Sequence, residues 1–75
     1  MKVFDYVRML LCEHAGCEYE DVMLAATFDE LNVQPFEREA LALLLEETYD
    51  VRVSDEALES FETVEDLVGY VEDRL

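Results

Sequence analysis

The side chains able to do chemistry are few in this chain of 75 residues, and no two of them form a recognisable catalytic pair. His14 is the only histidine, and it falls in the last turn of a predicted helix, where a cationic group suits the helix dipole. The chain offers no nucleophile beside a base and no glycine-rich loop to cradle a phosphate. The sequence therefore predicts a protein that is not an enzyme and has no catalytic residues.

The two cysteines, Cys12 and Cys17, leave three alternatives: a disulfide, part of a metal site, or free thiols. A structural zinc site takes four ligands, and His14 is the only histidine available to join the pair. Disulfides are rare in the cytosol, where thiols are kept reduced. We therefore expect free thiols without a chemical role, and no metal site.

Carboxylates are the abundant ionisable group, since 20 acidic residues stand against five basic ones and give a formal net charge of −15. Self-repulsion at this charge disfavours the compact state, and salt should relieve it. Nucleic acid is excluded as a partner because no basic patch is present to displace phosphate counterions. The expected partner is the basic surface of another protein. Two groups of carboxylates could hold a divalent cation weakly, although neither matches an EF-hand loop: Glu46, Glu47 with Asp50, and Glu18, Glu20 with Asp21.

Hydropathy points away from the membrane. No apolar run approaches the roughly 20 residues that span a bilayer. The opening residues 1–5 lack the charged and then apolar layout of a signal peptide. We expect a cytoplasmic protein, monomeric and without membrane insertion.

Apolar periodicity predicts an all-α fold of four helices, in which the third is very short. The first helix covers about residues 2–15, stops before Gly16, and places one apolar stripe inward: Val3, Phe4, Val7, Leu10, Leu11 and Ala15. Residues 17–34 predict a long loop, with a short turn at 29–31 and three side chains that hold the loop on the core: Val22, Leu24 and Phe28. A loop of this length in so small a domain is often functional.

The remaining helices have clear start signals. Pro35 suits the first position of the second helix, which ends near Asp50, and Glu37 lies where it can reach back to the preceding backbone. Ser54 is a candidate N-cap for the third helix, over 55–60. Thr63 with Asp66 resembles a capping box at the start of the fourth. The predicted inner face of the second helix comprises Ala40, Leu41, Leu44, Leu45, Thr48 and Tyr49. That of the fourth helix comprises Val64, Leu67, Val68, Val71 and Leu75.

Three segments together resemble the acyl carrier protein family. Residues 45–53 (LEETYDVRV) are similar to the family's segment in which acids and an aromatic close the second helix before an extended link. Residues 61–71 (FETVEDLVGYV) resemble its fourth-helix signature, and residues 21–28 (DVMLAATF) its loop before the attachment site. The resemblance implies a single carrier-like domain over residues 1–75, a four-helix bundle with a long loop between the first two helices.

The resemblance also locates a departure. The family carries Asp-Ser-Leu at the start of the second helix, and the serine hydroxyl holds the phosphopantetheine arm. Here the triplet is Gln34-Pro35-Phe36, and residues 32–36 contain no hydroxyl. The resemblance thus predicts a carrier-like binding or regulatory protein for fatty-acid or polyketide-type enzymes, with no phosphopantetheine and no cofactor-binding residue. The alternative is a working carrier whose arm is attached at an unrecognised residue.

In the family, acidic side chains and exposed apolar residues along the second helix contact basic patches on the partner enzymes. Carried over by position, this implies a partner-binding set of Phe36, Glu37, Leu43, Glu46 and Glu47, while Arg38 and Glu39 depart from the pattern. A purely structural alternative is a dimer formed through Phe36 and Leu43. The family also shelters an acyl chain in its interior; we expect a packed interior here, although six residues could line such a cavity: Leu41, Leu44, Leu45, Val53, Phe61 and Leu67.

Overall fold

Four helices make up the computed structural model, which describes residues 2–75. In chain order they are α1 (Val3–His14), α2 (Pro35–Tyr49), α3 (Asp55–Ser60) and α4 (Val64–Glu72), with a 3₁₀ turn at Tyr19–Asp21. Within the described residues the only β pairing is an isolated antiparallel bridge between Thr27 and Thr63. The predicted all-α bundle with a short third helix and a long first loop is confirmed, and every predicted helix start lies within one residue of the observed one.

The core lies where α1 packs against α2 and α4. Fully buried side chains come from all three helices, and the stripe predicted for α1 does face inward. Three of the predicted inner positions are wrong, because Ala40, Thr48 and Leu75 are exposed. The Thr48 hydroxyl pairs with that of Tyr6 at the surface. Ala40 is exposed and Ala42 is buried instead, because the helical repeat places position 40 on the outer side together with Phe36 and Leu43. Leu75 is also exposed, since α4 ends at Glu72 and the stripe does not continue beyond it.

The long loop is held against the start of α4 by its backbone. The carbonyl oxygens of Leu24 and Ala26 accept hydrogen bonds from the N–H groups of Glu65 (2.9 Å) and Val64 (3.0 Å), and the Phe28 N–H donates to the Glu62 carbonyl (3.0 Å). Two predicted side-chain contacts are confirmed, since Val22 and Phe28 are buried. The third is wrong: the Leu24 side chain is exposed, and its carbonyl makes the contact instead.

A turn spans residues 28–32 and includes the turn predicted at 29–31. Its last residue, Asn32, has a φ of 58°, a left-handed conformation that asparagine tolerates better than most residues. The N–H of Val33 donates to the Phe28 carbonyl at 3.0 Å and closes the turn. The turn delivers the chain to the start of α2.

The caps of α3 and α4 match their sequence signals. The hydroxyl of Ser54 accepts the Ala57 N–H at 3.1 Å. At α4, the Thr63 hydroxyl accepts the Asp66 N–H (3.2 Å), while Asp66 Oδ2 accepts the N–H groups of Glu62 (3.0 Å) and Thr63 (3.1 Å). These two backbone donors, Glu62 first, hold the pKa of Asp66 below its ordinary value.

Replacing Asp66 by alanine removes the acceptor for both N–H groups. We expect Asp66→Ala to lower the free energy of unfolding by about 1 kcal/mol at neutral pH, the usual cost of a lost cap. Because the folded-state pKa of Asp66 is depressed, its contribution is present above the ordinary aspartate pKa and is lost as the pH falls through the folded-state value. Urea titrations of both proteins at several pH values measure this, and the difference between them should shrink in acid.

Asp66→Asn is the matched control, because it removes the same charge but keeps one side-chain oxygen as an acceptor. We expect it to lose less stability than the alanine variant. Equal stability of Asp66→Ala and the unchanged chain at neutral pH would contradict the assignment of Asp66 as a cap.

Candidate functional site

The start of α2 is an exposed, ordered helix terminus whose first residue is Pro35. The N–H of the preceding Gln34 donates to Glu37 Oε1 at 2.8 Å, as predicted for Glu37. The Gln34 carbonyl accepts the N–H groups of Glu37 (2.9 Å) and Arg38 (3.1 Å), and its side-chain amide donates to Asn32 Oδ1 at 3.2 Å. Proline at the first position has no N–H group that would lack an intrahelical acceptor. The helix start is therefore stable without a hydroxyl.

Arg38 connects this helix start to two other parts of the fold. Its Nη1 donates to the Phe61 carbonyl at 3.3 Å, and its guanidinium carbon lies 4.8 Å from the centre of the Phe28 ring. Nη2 lies 3.8 Å from Asp29 Oδ1, the one ion pair within residues 2–75. The side chain is only 20% exposed, and its Nε is buried without a hydrogen-bond partner in the described structure. Arg38 thus fills the space between α2, the loop and the link before α4.

The sequence marked Arg38 only as a departure from the family's pattern, and its packing role was missed. A single basic residue within the acidic first half of α2 was the signal available. Its partners are a backbone carbonyl and an aromatic ring that lie far away in the chain. Periodicity within one helix does not predict such contacts.

The outer side of α2 carries an exposed stripe, which we call the α2 face and define by Phe36, Leu43 and Glu47. The Phe36 and Leu43 side chains are 69% and 59% exposed, and Glu47 is exposed too. Steps of seven and four residues place the three on one side of the helix. Three of the five residues predicted to bind a partner are therefore available together on this face.

The other two, Glu37 and Glu46, are half-buried and already hydrogen-bonded within the chain. Glu37 caps α2 through the Gln34 N–H. Glu46 Oε2 accepts the Val53 N–H at 2.8 Å and so connects α2 to the link before α3. Both carboxylates still contribute negative potential, but their oxygens have structural partners. Their role in partner binding stays a prediction.

All five serine and threonine hydroxyls lie outside the start of α2, and each has a hydrogen-bond partner. The Thr48 hydroxyl pairs with the Tyr6 hydroxyl at 2.9 Å, near the end of α2. Ser60 donates to the Ala57 carbonyl at 2.6 Å, within α3. In the long loop, the Thr27 hydroxyl donates to Glu30 Oε1. The hydroxyls of Ser54 and Thr63 act in helix caps.

The residues that could line an interior cavity lie in the core or against it. Of the six residues that could line a cavity, Leu45 and Leu67 are fully buried, and Leu44 and Val53 are partly buried against the core. A shallow depression of about 300 Å³ lies outside, beside the start of α2, and is lined by Pro35, Arg38, Glu39, Leu58 and Glu59. Arg38 lies between this depression and the ring of Phe28.

The remaining candidates for chemistry do not come together as sites. Cys12 and Cys17 are free thiols, and burial, followed by repulsion from Cys12, raises the pKa of Cys17. A thiol with a raised pKa is a weaker nucleophile and metal ligand at neutral pH. Among residues 2–75 no three histidine, cysteine or carboxylate side chains converge to hold a metal ion, the two acidic clusters included. None of the helices described is both long enough and apolar enough to cross a bilayer.

The molecule is thus a small acidic four-helix bundle with a long first loop and an exposed face on its second helix. Residues 5–71 match the family model described as "Phosphopantetheine attachment site". The chain is 35% identical over 74 residues to the acyl carrier protein of Streptococcus pyogenes serotype M1, covering 99% of this chain and 97% of that protein. It is 34% identical over the same length to that of Streptococcus thermophilus, strain CNRZ 1066.

A relative from another bacterial genus provides a similar match. The acyl carrier protein of Phenylobacterium zucineum, strain HLK1, is 32% identical over 74 residues, covering 97% of this chain and 94% of the relative. The match therefore extends over nearly the whole length of each protein. The chain belongs to the acyl carrier protein family, and the family resemblance predicted from the sequence is confirmed.

Proposed function

We propose that this protein is a carrier-like binding protein that cannot hold a phosphopantetheine arm. The observation that carries the proposal is the start of α2, where Pro35 occupies the first helical position and residues 32–36 contain no hydroxyl. Attachment of the arm requires an oxygen nucleophile that attacks the pyrophosphate of coenzyme A. Proline has no side-chain heteroatom, so the residues at this terminus do not fit the group.

The hydroxyls elsewhere in the chain are poor substitutes. Those of Ser54 and Thr63 accept backbone N–H groups as helix caps. Ser60 and Thr48 lie in α3 and near the end of α2, each in a hydrogen bond. Using any of them as the attachment point would sacrifice an existing contact and place the arm away from the start of α2.

The interior supports the same proposal. Fully buried leucines lie behind α2, and Arg38 is packed between α2 and the link before α4. An untethered fatty acid would have to enter past an acidic surface that repels its carboxylate. We therefore propose a packed bundle that shelters no acyl chain.

What remains for this chain is recognition through the α2 face. Phe36 and Leu43 offer apolar contact, and Glu47 lies beside them in a molecule of net charge −15. Such a surface favours a partner enzyme with a basic docking site, and opposite charge accelerates encounter more than it strengthens the complex. We propose a decoy, scaffold or regulatory role toward fatty-acid or polyketide-type enzymes, for a monomeric, cytoplasmic domain over residues 1–75.

A competition assay tests this role. An acyltransferase that uses a conventional acyl carrier protein is assayed with increasing amounts of this chain. We expect the rate to fall several-fold at low ionic strength and to recover as salt is added, because screening weakens charge-driven docking.

Phe36→Ser with Leu43→Ser is the informative variant, since it removes the apolar contacts of the α2 face and leaves the net charge unchanged. It should compete poorly. Equal inhibition by this variant and by the unchanged chain would rule out the α2 face as the docking surface.

A further inference from the structure

A second surface with the features of a docking site is formed by α1 and the long loop. It is a depression of about 610 Å³, roughly twice the volume of the one beside the start of α2. No residue of α2 contributes to it. Its lining consists of Phe4 and Arg8 from α1, and of Glu20, Asp21, Met23, Leu24, Ala25, Ala26 and Glu30 from the loop.

The walls of this depression are apolar and held in place. The side chains of Met23 and Leu24 are 58% and 40% exposed, although both are large and apolar. The backbone beneath them is fixed, because the carbonyls of Leu24 and Ala26 accept N–H groups at the start of α4. Leu24 was predicted to face the core, so its exposure is a specific feature of how this loop is attached. Exposed apolar groups that share one concave site mark interaction surfaces.

The one cation in the depression is already engaged. Arg8 lies between two aromatic rings, its guanidinium carbon 4.6 Å from the centre of Phe4 and 4.3 Å from that of Tyr19. Its Nε donates to the Val22 carbonyl at 3.0 Å. Arg8 thus holds the loop on α1, and its side chain supports the wall of the depression.

Around the apolar walls stand three exposed carboxylates: Glu20, Asp21 and Glu30. These three negative charges outnumber the one positive charge of Arg8, and they add to the negative potential of the whole molecule. A free fatty acid would be repelled by this rim, and so would a second copy of the chain. A peptide segment with large apolar side chains can pack against the apolar walls, and its lysine or arginine side chains can pair with the carboxylates of the rim.

We propose that this depression, the α1 groove, binds a basic amphipathic helix of a partner protein. Apolar side chains at helical spacing contact Met23, Leu24 and Phe4, and flanking basic residues lie beside Glu20, Asp21 and Glu30. This is helix-in-groove recognition with charge complementarity at its edge. The α2 face is built from other residues and shares none with the α1 groove. The proposal does not depend on the α2 face being a docking site.

The test uses a synthetic helical peptide with leucines on one side and lysines on the other, and a control peptide of the same charge in which serines replace the leucines. Each is titrated into isotopically labelled protein and followed by nuclear magnetic resonance. The unchanged chain is compared with two double variants that keep its net charge: Met23→Ser with Leu24→Ser, and Phe36→Ser with Leu43→Ser. Circular dichroism first checks that each variant is folded, and Met23→Ser alone serves if the double groove variant is not.

The groove variant should bind the leucine–lysine peptide about tenfold more weakly, because apolar contact area is lost. In the unchanged chain the amide signals of Ala25, Ala26 and Glu30 should shift on binding, and the α2-face variant should retain these shifts. The serine–lysine peptide should produce far smaller shifts.

Four outcomes would overturn the proposal. They are unchanged affinity in the groove variant, shifts confined to α2, equal binding of the two peptides, and self-association of the chain that the groove variant abolishes. The third would show that charge alone drives binding, and the fourth that a second copy occupies the groove.

Discussion

We expect a phosphopantetheinyl transferase to leave the unchanged chain unmodified and to load to completion a variant in which the triplet at the start of α2 is converted to Asp-Ser-Leu. The substitutions are Gln34→Asp, Pro35→Ser and Phe36→Leu. The reason is chemical, since the serine hydroxyl provides the oxygen nucleophile that proline lacks. Incubation with coenzyme A and the transferase, followed by intact-mass spectrometry, measures the change.

The fold at this position should tolerate the three substitutions. Gln34→Asp loses the hydrogen bond that the Gln34 amide donates to Asn32, but aspartate is a preferred N-cap and its carboxylate can accept a backbone N–H group in the first turn of α2. Pro35 and Phe36 are both exposed, so neither contributes to the core. Circular dichroism should therefore show an unchanged helix content. Loading can then be interpreted as chemistry rather than as a change of fold.

The matched control carries Gln34→Asp and Phe36→Leu and keeps Pro35. We expect both this control and the unchanged chain to remain unmodified, which would assign the effect to one hydroxyl. A mass gain on the unchanged chain would sink the proposed function, and peptide mapping would then show which hydroxyl carries the arm. In that case the protein is a working acyl carrier protein with an unusual attachment point.

Most of the basic side chains in this acidic chain contact aromatic rings rather than carboxylates. Three of the five basic residues stack on aromatic rings: Arg8 on Phe4 and Tyr19, Arg38 on Phe28, and Arg74 on Tyr70. Arg8 and Arg38 hold separate segments together through cation–π and backbone contacts, while Arg74 contacts Tyr70 four residues before it. These contacts do not need a carboxylate partner. The acids consequently stay largely unneutralised, and they remain available to a basic partner at both proposed surfaces.

Much of the fold could be predicted because its signals are local. Helix starts depend on capping chemistry within four residues, and Pro35, Ser54 and Thr63 each marked one correctly. The buried stripe of α1 follows from the helical repeat alone. Family membership was also predictable, because three short segments matched in order along the chain.

Most of the errors depend on long-range or terminal geometry, whereas the outward side of Ala40 follows from the helical repeat itself. Leu24 was assigned to the core because it is apolar, but the pairing of the loop with α4 turns its side chain outward and uses its carbonyl instead. Leu75 fits the period of α4 but follows the end of the helix. The packing of Arg38 on Phe28 and Phe61 joins residues distant in sequence. The local sequence pattern does not predict which distant groups these residues contact.

Phe28→Ala is expected to cause the largest loss of stability among exchanges within the first loop. The Phe28 ring is 1% exposed and lies beneath the Arg38 guanidinium, and its backbone connects the loop to α4. Truncating a buried phenylalanine costs about 3–5 kcal/mol, because transfer energy is lost and a cavity remains. Domains of this kind have a total stability of only about 5–15 kcal/mol, with small ones toward the lower end.

Thermal unfolding followed by circular dichroism should show a midpoint lowered by roughly 12–40 °C. Leu24→Ala is the matched control, since Leu24 lies in the same loop, was predicted to be buried in the same way, and is 40% exposed instead. Its cost should be within about 1 kcal/mol, because little apolar area returns to water and the carbonyl bond to Glu65 is kept. Similar losses of stability in the two variants would mean that backbone hydrogen bonds alone hold the loop in place. The Phe28 ring would then not be what positions Arg38 against the core behind α2.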